Sequence, residues 1–294
     1  MQARTCSLLQ QASGRDTPGV AAVRLRILSD LHFAEPASRI RDLRMLAPLL
    51  EGPEKLVFNG DSIDTRFLET DRAAAAGREA FFEFIEPYRS RLTLVTGNHD
   101  PDISPHHHLE VDGGRVLITH GDVLFPSVAP WGWEAPHVLA ARSRRLAEID
   151  ATRHAAFETQ LEVCKYSSYA TRHLSPSGQH TRGGTLARLF HLVARVRRAD
   201  KIVTSWFHSP TLAAELAARY RPEARVIIFG HTHWPGVWRR GPRILINTGA
   251  FTPPLGARLI DFAGEWIEVR SVLRTGAVFR PGPLLARLRA SPAD

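Results

Sequence analysis

Residues 55–64 read KLVFNGDSID, a short apolar run that ends in a glycine and two aspartates. A run of this length, bounded by turn-forming residues, is typical of a buried β-strand. The same pattern stands on both sides of it, in LRILSD at 25–30 and in LTLVTGNHD at 92–100. The segments between these runs, 40–50 and 72–85, are suited to helices. Alternation of strand and helix predicts an α/β fold whose sheet is buried on both faces.

Three later runs repeat the strand pattern: RVLITHGD at 115–122, ARVIIFGHTH at 224–233 and RILINTG at 243–249. Between apolar stretches, Asp112-Gly113-Gly114 has the composition of a hairpin turn. We therefore expect part of the sheet structure to be antiparallel.

The domain organisation follows from shifts in composition. The segment around 133–174 is rich in Ala, Arg and Leu, which favours helix. Ser209-Pro210 is suited to begin a further helix that ends near Tyr220, with Ser as the N-cap and Pro in the first turn. We predict an N-terminal tail at 1–22, one domain at 23–280 with a helical insert at about 126–207, and a C-terminal tail at 281–294.

The composition excludes several classes of protein. The chain has 294 residues, of which 44% are hydrophobic and 23% charged, so neither a disordered nor a fibrous protein fits. No apolar run approaches the roughly 20 residues that span a bilayer, and the first residues lack a signal-peptide core. The two cysteines, Cys6 and Cys164, cannot form a disulfide framework or a zinc ribbon. These features predict a soluble cytoplasmic protein.

The net charge is +8, and it is unevenly distributed. Residues 131–225 contain 15 Lys and Arg but only 8 Asp and Glu. A basic surface attracts phosphate-rich partners such as nucleic acid, an anionic membrane surface or a phosphorylated small molecule. The alternative interpretation is an ordinary solvated helix face.

Polar side chains that can bind metal follow five of the predicted strands. Because the carboxyl ends of strands in an open α/β sheet converge, these side chains should meet in one place. Imidazoles, carboxylates and one amide, without a thiolate, suit Mn²⁺, Fe, Zn²⁺ or Mg²⁺. The seven candidate ligands exceed the four of a closed zinc site and suffice for two metal ions that share a carboxylate. They are Asp30, His32, Asp61, Asn98, His120, His231 and His233.

The ordered set D-x-H, G-D-x-x-D, G-N-H-D, H and G-H-x-H resembles the calcineurin-like metallophosphoesterase superfamily. The resemblance implies a four-layer α/β/β/α sandwich with a dinuclear metal site. It implies that one metal is bound by Asp30, His32, Asp61 and His233, and the other by Asp61, Asn98, His120 and His231. It places His99 against the substrate as a catalytic residue and makes Asp64 the carboxylate that orients His99. Asp100 and Asp122 are interpreted as structural.

The resemblance also implies the activity: hydrolysis of a phosphodiester or pyrophosphate bond by a metal-bridging hydroxide, with Mn²⁺ as the first choice of metal. The expected substrate is a phosphorylated small molecule or a nucleotide-linked compound. The runs ITHGD and GHTHWP and the helical insert are also similar to those of UDP-2,3-diacylglucosamine pyrophosphatases, in which the insert forms a lid. This chain departs from them in having His99 where they carry Arg. The alternatives are a nuclease, a phosphoprotein phosphatase and a non-catalytic scaffold.

Overall fold

The computed structural model describes residues 23–66, 72–174 and 185–289, so the predicted tail at 1–22 lies outside the described residues. The strands are β1 (Val23–Leu28), β2 (Lys55–Asn59), β3 (Leu92–Val95), β4 (His108–Val111), β5 (Val116–Thr119), β6 (Val226–Phe229), β7 (Gly236–Arg240), β8 (Arg243–Asn247), β9 (Arg258–Ala263), β10 (Trp266–Thr275) and β11 (Val278–Arg289). The α-helices are α1 (Ala47–Leu50), α2 (Arg72–Ile85), α3 (Ala135–Glu148), α4 (Phe157–Thr171) and α5 (Thr185–Tyr220), and short 3₁₀ helices lie at Leu43–Leu46, Glu86–Tyr88, Asp122–Leu124 and Ala151–Arg153.

The described strands form two sheets. One has six strands in the order β11-β10-β9-β1-β2-β3, and the other has five in the order β4-β5-β6-β8-β7. Strands β1, β2 and β3 are parallel, as are β5, β6 and β8. The predicted hairpin at 112–114 is confirmed, because β4 and β5 pair antiparallel across it. The mixed α/β fold predicted from the sequence is confirmed.

Alternating burial along the strands creates the layers. Ile27 and Val57 face a core shared with Ile118 and Ile228, so this apolar layer lies between the two sheets. The adjacent Leu28 points the opposite way, as side chains along a strand must. There the first sheet packs against α1 and α2, and the second sheet packs in the same manner against α4 and α5. The result is an α/β/β/α sandwich, in which each fully buried aliphatic side chain contributes about 1.5–3 kcal/mol.

The helices α3, α4 and α5 lie between β5 and β6 in the chain, where helical composition was expected. The predicted helix start at Ser209-Pro210 is wrong, because α5 continues through Pro210. Proline has no N–H to donate to the carbonyl four residues earlier. In this helix the Ser209 hydroxyl donates to that carbonyl, the Trp206 oxygen, at 3.0 Å. Residues 175–184 of the predicted insert lie outside the described residues, and the insert boundaries stay a prediction.

The C-terminal tail predicted at 281–294 is wrong for most of its length, because β11 extends to Arg289. This strand pairs antiparallel with β10 at the edge of the six-stranded sheet. An edge strand tolerates proline, since one side of its backbone needs no ladder partner. The pairing shifts register next to Pro281, which accommodates the prolines further.

Within the described ranges, no helix is both long enough and apolar enough to cross a membrane.

Candidate metal centre

All seven predicted ligands lie just beyond the carboxyl ends of parallel strands. Asp30 and His32 follow β1, Asp61 follows β2, Asn98 follows β3, His120 follows β5, and His231 and His233 follow β6. The two sheets face each other, so their strand ends bring together residues that are 201 positions apart in the sequence. The convergence expected from the sequence is therefore present in the fold.

The ligand candidates form two clusters. In the first, Nε2 of His32 is 3.0 Å from Nε2 of His233, which lies 3.3 Å from Oδ1 of Asp30. In the second, Nε2 of His120 is 3.3 Å from Oδ2 of Asp61 and 3.3 Å from Oδ1 of Asn98. His231 completes this second cluster, with ligand atoms of Asp61, His120 and His231 within 4.8 Å of one another.

Asp61 lies between the clusters. Its Oδ2 atom is 3.3 Å from His120 and 3.7 Å from Nε2 of His32, which belongs to the other cluster. This is the position that the resemblance implies for a shared carboxylate. The assignment of each ligand to one metal ion stays a prediction.

Each of the four ligand imidazoles has one ring nitrogen next to an oxygen atom outside the centre. The carbonyl oxygens beside His120 and His231 only accept, so in these two rings the nitrogen beside the oxygen carries the proton and the other nitrogen has the free lone pair. Such outer partners fix the tautomer and orientation of metal-binding histidines. The pairs are His120 Nδ1 with Asn59 O at 3.1 Å, His231 Nε2 with Val128 O at 2.8 Å, His233 Nδ1 with Thr252 Oγ1 at 3.0 Å, and His32 Nδ1 with Glu35 Oε2 at 2.9 Å.

The backbone at the centre is strained. Eight non-glycine residues of the described chain have a positive φ, and five of them are predicted ligands. A left-handed conformation costs a side-chain-bearing residue roughly 1–2 kcal/mol, and such residues concentrate at functional sites. The five are Asp30 (φ 52°), His32 (49°), Asp61 (49°), His231 (66°) and His233 (57°).

Two motif glycines leave room for the carboxylates. A Cβ atom at Gly97 would overlap the Asp61 carboxylate, and one at Gly230 would overlap that of Asp30. In both places a backbone N–H one or two residues after the glycine donates to the carboxylate: His99 donates to Asp61 at 2.8 Å, and His231 donates to Asp30 at 3.1 Å. The glycines of G-N-H-D and G-H-x-H are thus explained by close packing.

Asp100 is fully buried and binds backbone rather than facing the centre. Its carboxylate accepts N–H bonds from Gly97 at 2.8 Å, Asp61 at 3.0 Å, Ser62 at 2.6 Å and Ile63 at 3.3 Å. These bonds support its interpretation as structural, since they tie the loop after β3 to the loop after β2.

His99 lies at the edge of the centre, with 15% of its side chain exposed. Its Nδ1 atom is 3.6 Å from Oδ2 of Asp64, and its Nε2 atom is 4.0 Å from Oδ2 of Asp61. Asp64 is also held by the guanidinium of Arg66 at 2.6 Å. Burial opposes ionisation of Asp64, but His99 and Arg66 hold its pKa well below the usual range. Asp64 thus lies beside His99, but at 3.6 Å the two do not form a hydrogen bond, and both catalytic assignments stay predictions.

The electrostatics favour cations. Burial opposes the charged form of Asp61, yet the surrounding imidazoles hold its pKa well below the usual value. Burial also opposes protonation of His32, but Glu35, Asp61 and Asp30 raise its pKa to about 9. These shifts show that the buried carboxylates attract positive charge. The nitrogen and oxygen donors and this charge fit divalent metal ions.

A cavity of about 320 Å³ opens onto the centre. Its walls include three α5 residues spaced four apart, Arg198, Ile202 and Trp206. Sequence reasoning missed Glu35 and Arg66, which also line this cavity. Their only sequence signal is nearness, since each comes within three residues of a predicted site residue.

Fold and centre together define a class: a two-sheet α/β protein with a candidate metal centre at its strand ends. The family model for calcineurin-like phosphoesterases matches residues 23–235, so the chain belongs to that family. The predicted resemblance is confirmed, and the chain is assigned to the metal-dependent phosphoesterases.

The chain is similar to solved structures of low sequence identity. Similar ones include Vps29 from Cryptosporidium parvum (12% identity, 91% of this chain and 99% of that one, TM-score 0.42). A second is Yfce, a phosphoesterase from E. coli (15% identity, covering 91% of this chain and 99% of that one, TM-score 0.39). A third is Vps29 from Entamoeba histolytica complexed with Zn²⁺ (11% identity, covering 91% of this chain and 99% of that one, TM-score 0.37). No curated protein matches the sequence.

Proposed function

We propose that the protein uses two divalent metal ions to hydrolyse a phosphodiester or pyrophosphate bond. The observation that carries this proposal is the position of Asp61, whose Oδ2 atom lies 3.7 and 3.3 Å from imidazoles of the two clusters. When bound, a pair of such ions polarises a phosphoryl group and lowers the pKa of a water molecule so that it can attack. Mn²⁺ is the first choice, and Fe, Zn²⁺ and Mg²⁺ suit the same donors.

His99 would act on the leaving group. Its Nδ1 atom faces Asp64, which leaves Nε2 directed toward the centre. From there it would donate a proton to the leaving oxygen or stabilise the charge that develops on the phosphoryl oxygens. Arg66 would hold the Asp64 carboxylate in place through its fork of hydrogen bonds.

The helical insert would select the substrate. Arg198, Ile202 and Trp206 share one face of α5 because helical residues four apart are neighbours, and all three line the cavity. Trp206 Nε1 donates to the Thr232 carbonyl at 2.7 Å, directly between His231 and His233. A cation and an aromatic ring over the centre support a phosphorylated or nucleotide-linked small molecule. A UDP-linked sugar of the diacylglucosamine type is the narrower candidate.

Nucleic acid is less well supported as a substrate. On the helices α3 and α4, Arg145 pairs with Glu148 at 2.9 Å and also with Glu162, and Arg142 bonds Gln160. The two carboxylates beside Arg145 offset its charge, and the bond to Gln160 engages Arg142, so both arginines of the basic surface that motivated the nuclease hypothesis already have partners within the protein. The complete set of ligand candidates likewise weighs against a non-catalytic scaffold. An anionic membrane surface as a partner and a cytoplasmic location stay predictions.

The test is hydrolysis of bis(p-nitrophenyl) phosphate by metal-stripped protein as Mn²⁺ is added. We expect activity to appear as about two ions bind, and to be abolished in Asp61→Asn and His231→Ala. The matched control is His106→Ala, which removes an exposed histidine outside the centre. Absence of metal uptake, or normal activity in Asp61→Asn, would overturn the proposal.

His99→Ala separates catalysis from metal binding. We expect two ions still to bind and the rate to fall by roughly 10²–10⁴-fold, the usual contribution of an acid–base group. Loss of one ion from this variant would make His99 a ligand instead.

A further inference from the structure

We propose that Glu35 is a positioning residue that makes the position formed by Asp30, His32 and His233 the tighter of two metal sites. This inference rests on the proposed function, because it assumes that the centre binds two ions. Neither the D-x-H motif nor the family match assigns a role to Glu35.

Glu35 lines the cavity that opens onto the metal centre. Its Oε2 atom is 2.9 Å from Nδ1 of His32, and 24% of the side chain is exposed. On the other side of the ring, Nε2 of His32 faces Nε2 of His233 at 3.0 Å. The carboxylate therefore contacts the nitrogen that is turned away from the cluster and leaves the inner nitrogen to act as the ligand.

The four ligand imidazoles differ in the charge of this outer partner. His120 and His231 face backbone carbonyls, and His233 faces the hydroxyl of Thr252. Of these four rings, His32 is the one whose outer nitrogen faces a carboxylate. A carboxylate partner orients a metal-binding histidine and makes the ring a more basic donor than a neutral partner does. The metal position that contains His32 should therefore bind its ion more tightly.

Glu35 can be replaced without dismantling the loop. Its backbone N–H donates to the His32 carbonyl at 3.0 Å, and its own carbonyl accepts from Ser38 at 3.0 Å. Both bonds are made by backbone atoms, which Gln and Ala also provide at position 35. Gln keeps an oxygen that can accept from Nδ1 but removes the charge, whereas Ala removes both.

The experiment is calorimetric titration of Mn²⁺ into metal-free full-length protein, with bound metal counted by elemental analysis. For the wild type we expect two resolved steps. Glu35→Ala should weaken the tighter step by about 10–100-fold and leave the weaker one unchanged. Glu35→Gln should weaken the tighter step by a smaller factor. Thr252→Val, which removes the neutral partner of His233, should also weaken it by a smaller factor. Glu54→Gln, an exposed carboxylate before β2, is the matched control and should titrate as the wild type.

The outcomes are distinguishable. Two ions binding to Glu35→Ala with wild-type affinities would overturn the inference and leave the proposed function standing. Equal weakening of both steps would also overturn it, because that is the effect of lost charge alone. Wild-type protein that binds no metal would overturn the proposed function itself.

Discussion

Replacing Asp100 by Asn tests whether the loops that carry the metal centre depend on one buried carboxylate. Oδ1 of Asp100 accepts the N–H groups of Asp61 and Gly97, and Oδ2 accepts those of Ser62 and Ile63. An asparagine has one oxygen and one NH₂ group at these places. Whichever way the amide turns, two buried N–H donors then face another donor.

The magnitude follows from those two donors. Each buried N–H that loses its acceptor costs about 1–3 kcal/mol. Part of this cost is offset, because burial and the Asp61 carboxylate raise the pKa of Asp100 to about 7, and Asn removes that unfavourable charge. Two such donors together cost about 2–6 kcal/mol, and relief of the buried charge lowers the expected net loss in unfolding free energy to about 1–2 kcal/mol, or roughly 2–4 °C in Tm. Asp100→Ala should lose more, since all four donors lose their acceptor.

Thermal unfolding followed by circular dichroism in the presence of a chelator measures this loss without a contribution from bound metal. The control is Asp102→Asn in the same loop, an exposed carboxylate paired with Arg172 at 3.2 Å. An exposed ion pair contributes about 0–1 kcal/mol, so this variant should unfold near the wild-type temperature. If Asp100→Asn also unfolds at the wild-type temperature, the four hydrogen bonds do not hold the loops and the reasoning fails.

Burial lowers the pKa of His107 to about 4, whereas in the unfolded chain this histidine takes up its proton near pH 6.5. The folded state therefore has its full stability with respect to this group above pH 6.5, and it loses stability as the pH falls toward 4. Between pH 7 and pH 5, the unfolding free energy of His107→Gln should therefore fall by about 1 kcal/mol less than that of the wild type, after allowance for solvent screening. Urea titrations at the two pH values measure this difference, and the exposed His106→Gln should match the wild type. Gly97→Ala should weaken Mn²⁺ binding at least about tenfold, because the new Cβ overlaps Asp61; wild-type affinity in a metal titration would contradict this. Trp206→Phe removes the hydrogen bond from α5 to the G-H-x-H loop and should raise KM more than it lowers kcat in steady-state assays; unchanged kinetics would separate α5 from substrate binding.

The positions of the predicted ligands could be read from the sequence because two simple rules apply. Apolar runs mark buried strands, and the residues just beyond the carboxyl ends of parallel strands converge. Asp30 and His231 are 201 residues apart, yet the rules place both at the same edge. The outer partners follow no such rule. Val128 acts through its backbone carbonyl, which every residue has, so its hydrogen bond to His231 leaves no mark in the sequence.

The two wrong predictions about the fold, at residues 209–210 and from 281 onward, share a physical origin. Ser209-Pro210 favours a helix start, and the composition from Pro281 onward favours a tail, so a proline marks the predicted boundary in both places. At 210 a side-chain hydroxyl satisfies the carbonyl that proline leaves free, and at 281 the strand lies at a sheet edge. Both compensations come from neighbours that local composition does not specify, whether a rotamer of Ser209 or the pairing of β10 with β11.

Five of the predicted ligands have a left-handed backbone conformation, and this bears on how the centre would bind metal. Five such residues together cost roughly 5–10 kcal/mol, and hydrogen bonds within the protein offset that cost. The backbone N–H of Asp30 donates to Gly60 at 3.1 Å, that of His32 donates to Asp61 at 2.9 Å, and that of His231 donates to Asp30. Because these bonds fix the backbone, the donors are arranged before an ion arrives, and binding need not organise the chain. Chelation should therefore leave the far-ultraviolet circular dichroism spectrum unchanged and lower Tm only as mass action requires. A loss of secondary structure on chelation would show instead that the ions, and not the hydrogen bonds, hold the strained backbone.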